Sequence, residues 1–181
     1  KYKNEFGIIR KSPSIHSSGG RVGSPISRNG FASLSEKSIL KLFKHYNKTV
    51  SASDSEYIVG EGLVGGRRSV CSTFSSAVSI NPSKYLYLLD ILNSKKYHQD
   101  FFNALIYGIQ NYIDYRDGNL SIPNSITIDE TTDTVELATI LLSNLEKNSY
   151  QIDKHTLAKS LKSCAYVLKD TKSIISIVFL I

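Results

Sequence analysis

Apolar residues recur along this chain mostly at helical spacing, and the stretches that break the rhythm carry the turn residues. In "SLSEKSILKLFKHYN" the positions Ile39, Leu40, Phe43 and Tyr46 share one face, and Ser33 with Glu36 makes an S-x-x-E capping box, so a helix is predicted over 34–47. Residues 48–66 are polar and glycine-bearing and are predicted as loop. A second helix follows in "RRSVCSTFSSAVSI", with Val70, Phe74, Ala77 and Val78 on its stripe, and stops before Asn81–Pro82. Asn81 is suited to an N-cap and Pro82 to the first helical position, so "NPSKYLYLLDILN" is predicted to start a helix at a tight corner. The run "DFFNALIYGIQNYIDY" turns Phe101, Phe102, Leu105, Ile106, Ile109 and Ile113 inward, with Gly118 as its stop signal. Asp133 with Glu136 opens a further helix whose stripe is Val135, Ala138, Leu141, Leu142 and Leu145. Asp153 opens the last, with Leu157, Leu161, Ala165 and Leu168.

Paired in order, these helices form three hairpins that begin near Leu34, Pro82 and Asp133. That spacing is what helical repeats require when each pair hides its apolar face only by stacking on the next. The expected fold is therefore all-α, with antiparallel helix pairs stacked as a short HEAT-like α-solenoid; a compact helical bundle is the rival arrangement. Residues 1–32, rich in Ser, Gly, Arg and Lys and interrupted by Pro13 and Pro25, read as an extended linker, and residues 33–181 as the α-helical repeat domain.

Composition narrows the setting. With 181 residues and 41% hydrophobic content the chain can bury a core. Cys71 and Cys164 lie far apart, without a CxxC or Cys/His cluster, and are expected to be two buried thiols in a reducing compartment. No secretory leader is visible and no apolar run reaches the roughly 18 residues of a membrane span, which points to the cytoplasm and away from membranes. The chain has no Met and closes on the apolar "SIISIVFLI", so an excerpt of a longer protein is expected. The net charge of +6 comes from scattered Lys and Arg, which favours solubility and leaves nucleic-acid binding as a secondary possibility.

Candidate chemistry is sparse. "GEGLVGG", Gly60 to Gly66, matches GxGxxG in form, but no βαβ unit surrounds it and no acidic residue follows at the distance a ribose needs. Arg67 and Arg68 at the start of the next helix are the candidates for meeting an anion or partner. His16, His45, His98 and His155 are isolated and expected on the surface. Asp114, Asp117, Asp129, Glu130 and Asp133 are explained by helix ends and caps, with a weak cation site as the alternative. Tyr107 and Tyr115 lie off the apolar stripe of their helix and are candidates for a partner surface. No catalytic, cofactor-binding or metal-binding residue emerges, and the chain is not expected to be an enzyme in its own right.

The order "GGRVGSPI", an amphipathic helix ending in Tyr46–Asn47, "VGG" before a helix, and then "NPSKYLYLLDIL" resembles the long helical regions of large bacterial STAND or NACHT-like NTPases of the antiviral-sensor type. Gly19, Gly20, Ser24, Pro25 and Ile26 carry the first part, Gly65 and Gly66 the third, and Pro82, Tyr85 and Leu88 the fourth. The resemblance covers about residues 19–110 and departs where a Trp usually stands in the first helix; no NTPase motif lies in the chain. It implies a non-catalytic HEAT-like module for protein binding or signal relay, whose partner is a foreign protein or the remainder of the parent. A nucleic-acid-binding helical array is the alternative. Within this picture Ser24–Pro25 enforces extended backbone, and the opening glycine stretch serves as a structural joint.

Overall fold

A computed structural model of the chain describes residues 23–47, 55–58, 62–94, 96–123 and 126–169. Gly19, Gly20, His16, residues 59–61 and the apolar run at 173–181 lie outside the described residues. Among those described the protein is helical: seven α-helices, two short 3-10 turns and one two-stranded hairpin. The chain divides into two compact units, Lys1–Ala77 and Val78–Ile181.

In the first unit the sequence Ser33–Leu34–Ser35 offers two possible caps, and both serines are used differently from the expectation. Helix α1, Arg28–Ser33, forms inside the segment predicted to be extended, capped by Ser27, whose hydroxyl accepts from the Gly30 amide. Ser33 closes α1 by donating to the Gly30 carbonyl at 2.9 Å. Leu34 is extended, and Ser35 caps α2, Glu36–Tyr46, by accepting from the Ser38 amide. Burial explains why the chain breaks here: Phe31 and Leu34 both enter the core, which one continuous helix from residue 34 would not achieve. The α2 stripe is Ile39, Leu42, Phe43 and Tyr46, with Leu40 only half-buried.

The predicted loop of 48–66 contains a hairpin. Strand β1, Ser55–Ile58, pairs antiparallel with β2, Gly62–Gly65, with Glu56 opposite Val64. Helix α3, Arg67–Val78, follows at once and buries Val70, Phe74, Ala77 and Val78 as its stripe predicts. Phe74 is the centre of the unit, meeting Phe31 at 5.4 Å and Phe43 edge-on at 4.9 Å between ring centroids.

In the second unit Asn81 caps as expected, its Oδ1 accepting from the Lys84 amide at 3.2 Å. The helix it opens is not continuous: a 3-10 turn at Ser83–Tyr85 precedes α4, Leu88–Asn93. Helix α5, Gln99–Arg116, is the long central element. His98 is its N-cap, accepting the Asp100 amide on Nδ1, and Gly118 adopts φ +75° just beyond its end, a backbone region that glycine enters freely. Helix α6, Thr134–Asn148, is capped by Asp133, and α7, Lys154–Leu168, by Asp153. Val135, placed on the α6 stripe by its spacing, is 53% exposed; Leu137 takes the inward position. Helix α5 packs on α4, α6 and α7, and α6 packs on α7.

Three polar links tie the second unit together at one sequence offset. The Asp129 amide donates to the Ile80 carbonyl, the Ser83 and Thr132 hydroxyls lie 2.6 Å apart, and Ser163 donates to Asp114. Each of these pairs is separated by 49 residues; a further link, from the Gln151 side-chain amide to the Asn93 Oδ1 at 2.9 Å, spans 58. Tyr112, fully buried, adds two further anchors for the connection into α6 by donating to the carbonyls of Asp129 and Thr132.

Candidate binding cleft

Helices α5 and α7 each present a second stripe at i, i+3, i+4, i+7, polar and distinct from the apolar one. On α5 it is Tyr107, Gln110, Asn111 and Asp114; on α7 it is Lys159, Lys162, Ser163 and Tyr166. Between them lies a cleft of about 540 Å³, lined also by Asn119 and Leu120 from the segment that leaves α5. This volume falls in the range of ligand-binding clefts.

The floor is a hydrogen-bonded network. Asp114 accepts from the Gln110 amide one turn earlier on α5 and, on its other oxygen, from the Ser163 hydroxyl at 2.7 Å across the cleft. The Lys159 carbonyl, 3.1 Å away, competes for the same hydroxyl proton, and the shorter bond to the carboxylate is the stronger of the two. Gln110 is 4% exposed, and its Oε1 has no hydrogen-bond partner.

The rim is cationic and aromatic. Lys159 and Lys162 are exposed, and no ion pair among the described residues engages either ammonium. The Lys159 Nζ stands 6.0 Å from the centroid of the Tyr107 ring, a cation–π geometry. Tyr107, Leu120 and Tyr166 contribute half-exposed apolar surface, Tyr166 being 60% exposed. The lining thus combines donors on the rim with acceptors on the floor and rings at the sides, a set suited to holding a ligand.

Of the four candidate partner residues, Tyr107 belongs to this cleft and Tyr115, half-buried on α5, does not line it. Arg67 is 4% exposed and has an interaction partner, whereas Arg68 is exposed at the start of α3. The residues that make the cleft beyond Tyr107 escaped sequence reasoning because a polar stripe resembles any solvated helix face. The available signal was the pair of polar stripes at identical spacing on α5 and α7.

The remaining motifs have structural roles. Gly65 sits so close to its neighbours that a Cβ there would fall 2.5 Å from the Ser69 Cβ and 3.0 Å from the Gly23 carbonyl, to which its own amide donates at 2.8 Å. Gly23, just before Ser24–Pro25–Ile26, thus touches Gly65; Pro25 and Ile26 are buried, and the Gly66 carbonyl accepts the amides of Ser69 and Val70 in the first turn of α3. Pro82 is buried at the corner before α4. Gly62 to Gly65 form an antiparallel strand, which is not the setting of a phosphate loop.

Among the carboxylates, Asp129 is held below its usual range by the hydroxyl and amide of Thr131, and Glu130 lies 3.8 Å from Arg116. Burial, then the nearby Asp114 charge, pushes Asp117 up. No group of three potential metal ligands occurs among the described residues. Both cysteines are buried thiols outside any disulfide. Burial pushes the Cys164 thiol up to about 12, leaving it a weak donor to the Ala138 carbonyl and a poor nucleophile. No helix among the described residues is long and apolar enough to cross a membrane. Compared with known protein families, with curated proteins and with solved structures, the chain finds no match.

Proposed function

We propose that this chain is a non-catalytic α-helical repeat module that binds a protein segment in the α5–α7 cleft. The observation that carries the repeat reading is the common offset of 49 residues in the three links Ile80–Asp129, Ser83–Thr132 and Asp114–Ser163. In an array built by repeating one unit, residue i lies beside residue i plus the period, so the offset stays constant from one end of the unit to the other. Between antiparallel neighbours it changes by two for every residue along the helix. Buried positions of α4 repeat in α6 at the same offset: Leu88 with Leu137, Leu89 with Ala138, Leu92 with Leu141. Hairpins α4–α5 and α6–α7 are then consecutive HEAT-like units, and the cleft is the seam between their second helices.

On this reading the module works in the cytoplasm as part of a large STAND-type NTPase, where it contacts a foreign protein or relays its arrival, as the motif around Gly65, Gly66 and Pro82 implies. The exposed rings of Tyr107 and Tyr166 support a protein ligand, because tyrosine gives much contact area at small entropic cost. Retention of a phage-displayed random-peptide library on the immobilised chain tests this. Tyr107→Ala with Tyr166→Ala should lower retention about tenfold while the melting temperature stays put, the two changes together removing about 1.4 kcal/mol of contact. Leu105→Ala, a core truncation, should instead cost about 2–5 kcal/mol of stability. Retention equal to the bare support, or unaffected by the double tyrosine change, would sink the proposal.

A further inference from the structure

The cleft separates two kinds of hydrogen-bonding demand, and their arrangement identifies its occupant. On the floor stand acceptors: the buried Oε1 of Gln110 without a partner, and the Asp114 carboxylate. On the rim stand two ammonium groups without an ion-pair partner among the described residues, Lys159 and Lys162. A ligand that satisfies both must carry N–H donors on one side and negative charge on the other. A peptide backbone has the donors, and Asp or Glu side chains have the charge. Nucleic-acid backbone meets the lysines equally well, but its phosphates would stack further negative charge over Asp114 and offer no N–H to the floor.

Resting on the reading of the cleft as a protein-binding seam, we infer that it selects acidic peptide segments, whose carboxylates pair with Lys159 and Lys162 while the backbone amides face Gln110 and Asp114. Tyr107, Tyr166 and Leu120 take an apolar neighbour of the acidic residue. A terminal amide torsion is soft, so Gln110 turns its Oε1 toward a ligand N–H at the expense of its own bond to Asp114.

The test sequences the retained phage clones and measures one selected peptide by fluorescence anisotropy. Enrichment of Asp and Glu is expected. Lys159→Gln with Lys162→Gln should weaken the selected peptide about tenfold, as should its Asn/Gln counterpart, and added salt should weaken wild-type binding. Both lysines are exposed, so the variant should fold; an unchanged melting curve confirms that. Clones without acidic bias, or binding indifferent to the lysine changes, would overturn the inference while leaving the cleft reading intact if the tyrosine changes still abolish retention. Duplex DNA binding tighter than the peptide with the same lysine dependence would overturn it in favour of nucleic acid. Loss of all retention would overturn both readings.

Discussion

Asp114 and Ser163, 49 residues apart in sequence, are joined by a 2.7 Å hydrogen bond that bridges helices α5 and α7. Ser163 is 5% exposed and its donor meets a charged acceptor, the stronger kind of hydrogen bond. Ser163→Ala should therefore cost about 1–2 kcal/mol, toward the low end for a charged partner because Asp114 is only half-buried. Urea unfolding checks the magnitude. A loss within the noise of the measurement would mean that the seam is not held by this bridge.

Tyr112 makes the complementary fastening. Burial pushes its phenol up, so it remains a donor at every physiological pH, and it serves the carbonyls of both Asp129 and Thr132. Tyr112→Phe keeps the ring and strands those carbonyls, at an expected cost of about 1–3 kcal/mol. Hydrogen exchange should quicken over residues 126–134 before it changes in the middle of α5. Uniform acceleration of both regions would show that the phenol holds the whole unit and not the connection.

In the first unit the corresponding point is Gly65. An added Cβ would collide with Ser69, whose Cβ lies 2.5 Å from that position, and with the Gly23 carbonyl at 3.0 Å. Neither obstacle is the far end of a flexible chain, so the backbone must move, and Gly65→Ala should cost about 1–3 kcal/mol as an overpacking change. Thermal melting followed by circular dichroism reads the loss. Gly23→Ala is the control, since nothing lies within 4 Å of its added Cβ.

The elements most legible in the sequence were those whose local chemistry and burial agree. Asp133 and Asp153 are read correctly as caps because each precedes a clear apolar stripe and bonds the amide three residues on. Where two local solutions compete, packing decides, and the sequence does not show it. Ser33 and Ser35 are equally good caps, and the choice falls to Ser35 because Phe31 and Leu34 must both reach the core. Strands β1 and β2 are too short for their alternation to stand out from a glycine-rich loop. The cleft remained hidden. Lys159, Lys162 and Ser163 form a solvated-looking stripe whose meaning depends on Gln110 and Asp114 facing it from another helix.

Acid sensitivity should be traceable to Asp153. Its burial raises the carboxyl, but the amide and hydroxyl of Thr156, the His155 amide and the neighbouring imidazole outweigh that, and it sits below its ordinary value of 3.8. A carboxyl lowered by folding contributes stability that is present above the unfolded value and is lost as the pH falls through the folded one, because the unfolded chain takes up the proton first. Between roughly pH 5 and pH 2, therefore, the wild-type urea midpoint should fall as Asp153 and the similarly lowered Asp129 become protonated. Asp153→Asn keeps a side-chain oxygen for the Thr156 amide, so the cap survives. Only the negative charge at the N-terminus of α7 disappears, an exposed interaction of about 0.3–1 kcal/mol at low salt. The variant should start slightly lower at neutral pH and then lose less on acidification, so that the two midpoint curves converge at the acid end. Parallel curves would show that Asp153 takes no part in the acid response, and that the charge it places at the start of α7 contributes nothing specific to folding.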